Sequence, residues 1–130
     1  MLVNGRWVEN WQPVQKADEQ GRFIRQVSEF RNWVTPDGRP GPTGEGGFEA
    51  EAGRYRLYVA LICPWASRTL IARRLKGLED MIPVTVLNPT LTDQGWQFGG
   101  YPGADEDPLY GSKYIHELYT RADPLVSGRA

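Results

Sequence analysis

The chain has 130 residues, with 15 basic and 16 acidic side chains and a formal net charge of −1. That length bounds it to one domain, and the balanced charge carries no electrostatic footprint for nucleic acid. One cysteine and one histidine exclude an intramolecular disulfide and a Cys-x-x-Cys redox or zinc pair, so no metal is expected.

Met1-Leu2-Val3-Asn4-Gly5-Arg6-Trp7 lacks the basic-then-apolar layout of a secretory signal, and no apolar run approaches membrane-spanning length. The expectation is a reduced, cytoplasmic setting with no membrane partner. Residues 1–53 resist assignment to regular structure. Trp7, Trp11, Phe23, Phe30, Trp33 and Phe48 recur without helix or strand period, and residues 37–47 are dense in turn formers. Six large aromatics argue against a solvated tail, so an irregular arm pinned across the domain surface by these rings is expected.

Regular structure is predicted from Arg54. Tyr55, Leu57, Val59 and Leu61 alternate, and Ala60 and Ile62 make the far end apolar on both faces, as in a central strand covered from both sides. From Pro64 to Gly77, Ala66, Leu70, Ile71, Leu75 and Leu78 recur at helical spacing, while Arg68, Arg73, Arg74 and Lys76 read as a solvated face. Met81 to Leu87 reads as a second strand, and its internal Pro83 places it at a sheet edge. The three elements form a βαβ unit.

Asn88 to Asp107 reads as a loop holding Trp96, Phe98 and Tyr101. A second helix is predicted from about Pro108 to Thr120 on Leu109, Ile115, Leu118 and Ala122, with His116 as a boundary residue rather than a base. Asp123-Pro124 ends that helix, and Leu125 to Ala130 resembles the approach to another strand. Two strands and two helices amount to an incomplete α/β domain over residues 54–130, since two-stranded sheets are marginal alone.

Cys63 lies where the strand pattern stops and the helix pattern starts. A lone cysteine is most often a small core hydrophobe. Pro64 favours the first helical position, which puts Cys63 at the N-cap, where free backbone N–H groups and the helix dipole favour thiolate. Cys63 is therefore the candidate nucleophile.

Cys63-Pro64-Trp65-Ala66 resembles the glutathionyl-hydroquinone reductases, the Xi class of glutathione transferases. The likeness extends through Phe30-Arg31-Asn32-Trp33, Gly41-Pro42-Thr43-Gly44, Arg68-Thr69-Leu70, Asn88-Pro89, Gly95-Trp96, Pro102-Gly103-Ala104 and Ser127-Gly128-Arg129. The resemblance implies a thioredoxin-like glutathione-binding domain, here partial, preceded by the family's long extension. The resemblance also leads to the expectation that the family's C-terminal helical domain is absent from this chain. Ser67 departs from the pattern, since relatives often carry histidine there.

The family chemistry implied is reduction of S-glutathionyl hydroquinones, with glutathione as co-substrate, through a Cys63–glutathione mixed disulfide. Trp96 and Arg129 match glutathione-contacting residues. Two alternatives remain. One is a truncated, non-catalytic fragment or interaction module, whose bare apolar surface would favour a homo-oligomer. The other is an Omega-like thiol transferase or dehydroascorbate reductase.

Overall fold

The computed structural model describes residues 1–9, 18–22 and 30–128. Residues 1–53 are not irregular throughout. β1 (Leu2–Val3) and β2 (Arg6–Trp7) form an antiparallel hairpin with Leu2 opposite Trp7. Asn4 and Gly5, at φ 47° and 73°, supply the two left-handed residues that a two-residue hairpin turn needs. Strands of two residues are too short to show alternation, which is why the sequence pattern misses them.

The hairpin docks on the far end of the chain. Leu2 and Gly128 exchange backbone hydrogen bonds of 3.0 Å, and the Gly5 N–H donates to Val126 O at 2.9 Å. Leu2 and Val126 are buried together with this ladder. No strand forms over residues 125–128; in place of the expected approach to one, a single antiparallel bridge joins Gly128 to Leu2.

β3 (Trp33–Thr35) pairs in parallel with β4 (Gly47–Glu49). The glycine-rich segment between them wraps around Trp33. A methyl group on Gly41 would stand 2.2 Å from Trp33 Cγ, and Trp33 Nε1 donates to Thr43 Oγ1 at 3.0 Å. Trp33 and Phe48 remain exposed, so they serve this small sheet and do not pin the arm. Phe30 does reach the domain, its ring 5.7 Å from that of Tyr119. Trp11 and Phe23 lie outside the described residues.

β5 (Leu57–Val59) and β6 (Val84–Val86) pair in parallel, with α1 (Pro64–Leu75) between them in sequence. β5 is shorter than its apolar pattern because the Cys63 N–H donates back to Ala60 O at 2.9 Å, turning the chain. Leu61 and Ile62 are consequently 59% and 62% exposed. Ile71 and Leu75 on α1 are exposed as well. The expected two-sided cover is therefore not found among the described residues, where β5 has β6 as its only strand neighbour.

β6 pairs only with β5 among the described residues, and Asp105 closes its other side. Val86 N–H donates to Asp105 Oδ2 at 2.7 Å, and Asp105 N–H returns a bond to Val86 O at 2.8 Å. Capping the outer ladder in this way removes a template for unwanted strand pairing. The basic face of α1 is not wholly solvated either. Arg73 folds back to donate to Ile82 O at 2.6 Å and Glu79 O at 2.7 Å, holding the helix end to the approach of β6.

α2 (Ile115–Ala122) begins seven residues later than the pattern suggests. Asp107 holds the preceding segment as a loop, its carboxylate accepting the N–H groups of Leu109 at 3.1 Å and Ser112 at 3.0 Å. The helix starts where Glu117 Oε1 reaches back to the N–H groups of Tyr114 at 2.8 Å and Lys113 at 3.0 Å. A carboxylate in that position satisfies donors that have no partner within the helix. The core gathers Ala60, Leu87, Phe98 and Ile115, from the end of β5, the end of β6, the loop and α2.

Candidate thiol site at the start of the first helix

Cys63 is the N-cap of α1, with extended backbone at φ −81° and ψ 118°, and Pro64 is the first helical residue. Its side chain is free of disulfide and half-buried. The turn closed by Ala60 O fixes the residue from behind. From ahead, its carbonyl accepts the Ser67 N–H at 3.2 Å and the Ser67 hydroxyl at 3.4 Å. Ser67 thus supports the backbone of Cys63 in the ordinary back-bonded geometry of a helical serine.

Trp96 arrives by a different route. Asn88, at the end of β6, is buried, and its backbone N–H donates to Gln97 O at 3.0 Å. Its Nδ2 donates to Gly99 O at 3.0 Å, and its Oδ1 accepts the Thr90 N–H at 2.9 Å. One side chain therefore closes both ends of the loop. Thr92 and Gly95 then exchange backbone bonds of 3.1 and 2.9 Å, forming a tight turn before Trp96.

Residues 96–98 run beside the start of α2. The Ile115 N–H donates to Trp96 O at 3.0 Å, and the Phe98 N–H to Lys113 O at 2.9 Å. Cys63 and Trp96 both pack against the cluster of Ala60, Leu87, Phe98 and Ile115, together with Tyr58, Leu118 and Tyr119. Two residues 33 positions apart are so mounted on one hydrophobic base. Arg129 lies outside the described residues.

Burial, reinforced by the Asp107 carboxylate, pushes the Tyr58 phenol above its ordinary range. Burial alone does the same for Tyr119. Asp107 goes the other way: burial opposes its charge, but N–H donors from Leu109 and Ser112 outweigh that cost and hold the carboxyl low. Among the described residues, no group of three His, Cys, Asp or Glu side chains is placed to hold a metal ion.

Sequence reasoning names Trp7 only as one of the rings that pin the arm and gives His116 no more than a boundary role. Trp7 stacks on His116 with ring centroids 4.5 Å apart, and Tyr114 stacks on the same imidazole at 5.5 Å. A shallow cleft of about 440 Å³ lies here, lined by Gly5, Trp7, His116, Glu117, Thr120 and Arg121. Neither Cys63 nor Trp96 lines it, so it is not the chemical site. The signal for this junction is the Asn4-Gly5 dipeptide, a strong short-range hairpin cue that brings Trp7 back across Leu2.

No family model matches the chain. It is 52% identical over 129 residues to the glutathionyl-hydroquinone reductase YqjG of Escherichia coli, covering 98% of this chain and 39% of that protein. It is 39% identical over 131 residues to the glutathionyl-hydroquinone reductase PcpF of Sphingobium chlorophenolicum, covering 99% of this chain and 37% of that protein. A glutathione S-transferase omega-like 2 of Schizosaccharomyces pombe is 45% identical over 113 residues, or 87% of this chain and 34% of that protein.

Among solved structures, glutathione-bound YqjG superimposes with a TM-score of 0.77 at 48% identity, covering 99% of this chain and 36% of that one. The Xi glutathione transferase of Phanerochaete chrysosporium gives 0.72 at 44% identity, covering 88% of this chain and 35% of that one. The chain thus spans well under half the length of the relatives it matches. Its thiol at a helix start, its partial thioredoxin-like fold and these likenesses agree: the chain matches the N-terminal portion of the glutathionyl-hydroquinone reductases, the Xi class of glutathione transferases.

Proposed function

We propose that the chain carries the thiol half of a glutathione-dependent reduction of S-glutathionyl hydroquinones, with Cys63 as nucleophile. The supporting observation is the N-cap position of Cys63 on a base shared with Trp96, in a chain similar to two glutathionyl-hydroquinone reductases. Residues 1–53 serve as the arm and residues 54–130 as part of the glutathione-binding domain.

The Cys63 thiolate attacks the sulfur of the conjugate. The sulfur–aryl carbon bond breaks, its electron pair stays with the ring carbon, and that carbon takes a proton to give free hydroquinone. Cys63 is left in a disulfide with glutathione. A second glutathione thiolate attacks the glutathionyl sulfur, forming glutathione disulfide and returning the Cys63 thiolate. The aryl carbon is reduced and two glutathione sulfurs are oxidised. An external thiol must resolve the intermediate, because the chain has one cysteine. A reduced, cytoplasmic setting supplies that thiol.

Trp96 offers glutathione an indole N–H and a ring face, and Arg129 offers a guanidinium suited to a carboxylate. The similarity to an omega-like transferase favours, as a second reading, thiol transfer onto the same Cys63 from other glutathione disulfides.

The test is intact-protein mass spectrometry after mixing the chain with an S-glutathionyl hydroquinone, with Cys63→Ser as control. A glutathione adduct absent from the control and removed by added glutathione supports the reading. No adduct, with Cys63 still alkylated by iodoacetamide, makes the chain a fragment that keeps its nucleophile without a working site.

A further inference from the structure

We infer that the N-terminal hairpin sets the glutathione site, with Trp7 as a positioning residue for Trp96. The inference rests on the reading above, in which Trp96 meets glutathione. Trp7 joins the two elements that meet at Trp96. On the loop side, its Nε1 donates to Asp93 O at 2.8 Å. Its ring also lies over Gly95, where an added methyl group would stand 2.8 Å from Trp7 Cη2. On the helix side, the same ring stacks on His116 at 4.5 Å.

Asp93 and Gly95 immediately precede Trp96, and His116 immediately follows Ile115, whose N–H holds Trp96 O. Trp7 therefore braces both sides of the hydrogen bond that places the Trp96 backbone. Gly95 at φ 80° is the residue that lets the loop turn beneath the indole. Trp7 is itself fixed, because the hairpin is tied to residues 126–128 and its turn accepts the Thr120 hydroxyl on Gly5 O at 3.3 Å. Asn88 and the Thr92–Gly95 turn hold the loop from within, and Trp7 adds a brace from 86 residues away.

Two readouts test this on the full chain. Amide hydrogen exchange at Thr92, Gly95 and Ile115 reports the brace without glutathione. The dependence of Cys63 glutathionylation rate on S-glutathionyl hydroquinone concentration reports its consequence. Trp7→Ala should speed exchange at all three amides and raise the half-saturating concentration about five- to ten-fold, the effect of roughly one lost hydrogen bond. The saturating rate and iodoacetamide alkylation of Cys63 should stay unchanged, which a general loss of folding would not allow. Trp7→Phe, which keeps a ring on His116 and loses the bond to Asp93, should fall between.

Unchanged exchange in both variants overturns the brace. Faster exchange with an unchanged half-saturating concentration overturns its role in glutathione capture. A wild-type chain that takes no glutathione at any concentration overturns the underlying functional reading instead, and the exchange comparison still decides whether Trp7 sets the loop.

Discussion

Trp7 lies flat against His116, their ring centroids 4.5 Å apart and their planes 17° from parallel. Tyr114 covers the other face, and His116 Nε2 is buried with no hydrogen-bond partner among the described residues. Burial lowers the affinity of this imidazole for a proton, the Glu117 carboxylate raises it, and the Met1 ammonium lowers it. Aromatic faces attract a cation, yet the net direction is downward, so desolvation wins.

The folded chain accordingly binds fewer protons than the unfolded one over the range below the ordinary histidine value, about pH 6.5. The His116 contribution to stability is whole above that value and is lost as pH falls toward the lower folded value. The unfolding midpoint should drop between pH 7 and pH 5, and His116→Phe, which keeps the stack, should remove that part of the drop. Identical pH profiles for the two proteins would show that His116 does not titrate with folding.

Cys63→Ala should abolish glutathione transfer, because no other side chain in the sequence can form the mixed disulfide. Trp96→Ala should leave Cys63 alkylation unchanged and weaken glutathione capture. Losing one stacked, hydrogen-bonding indole is expected to cost about ten-fold in half-saturating concentration. A wild-type concentration dependence in Trp96→Ala would take that residue out of the site.

How far these features are legible in the sequence depends on the range of the interaction. The start of α1 is legible because Pro64 has one favourable place in a helix, the first position, and Cys63 must then be the cap. The second helix is misplaced because Leu109 continues an apolar spacing that Asp107 overrides. A carboxylate accepting the loop N–H groups of Leu109 and Ser112 competes with helix, and Gly111 at φ 64° completes the departure.

The hairpin has a local signal in Asn4-Gly5, but its docking on Val126 and Gly128 is a pairing across nearly the whole chain. No periodicity records such a contact. The same holds for Trp96: its loop composition announces turns, while its placement comes from the N–H of Ile115 and the indole of Trp7. The apolar exposure of Ile62, Ile71 and Leu75 is the reverse case, a buried pattern in the sequence that the described residues do not cover.

Asp107→Asn tests how the loop before α2 is held. The two carboxylate oxygens accept separate N–H groups, and an amide presents a donor to one of them. Leaving a buried N–H without an acceptor costs about 1–3 kcal/mol, measurable as a shift in the urea midpoint with unchanged slope. The low carboxyl value of Asp107 adds a pH signature. Its stabilisation is present above the ordinary aspartate value of about 3.9 and lost as pH falls through the folded value. Asp107→Asn should lose that acid-range component, and a variant that retains both midpoint and acid profile would show that the cap contributes nothing.

Arg73→Met tests the opposite end of α1. The guanidinium gives two charge-assisted bonds to Ile82 O and Glu79 O, and its ion pair with Glu79 is longer, at 3.9 Å. Bonds between a charged donor and a carbonyl are worth about 1.5–3 kcal/mol each, whereas an ion pair with a half-exposed partner adds about 0–1. Carbonyl bonding, not charge pairing, should therefore dominate. Arg73→Met keeps much of the aliphatic stem and loses the bonds, so it should destabilise the chain strongly at any salt concentration. Glu79→Gln removes the ion pairs of Glu79 with both Arg73 and Arg74 but leaves the carbonyl bonds of Arg73, and should cost little, with the cost shrinking as salt is raised. Equal losses in the two variants, both relieved by salt, would mean that electrostatic pairing holds the helix end to β6.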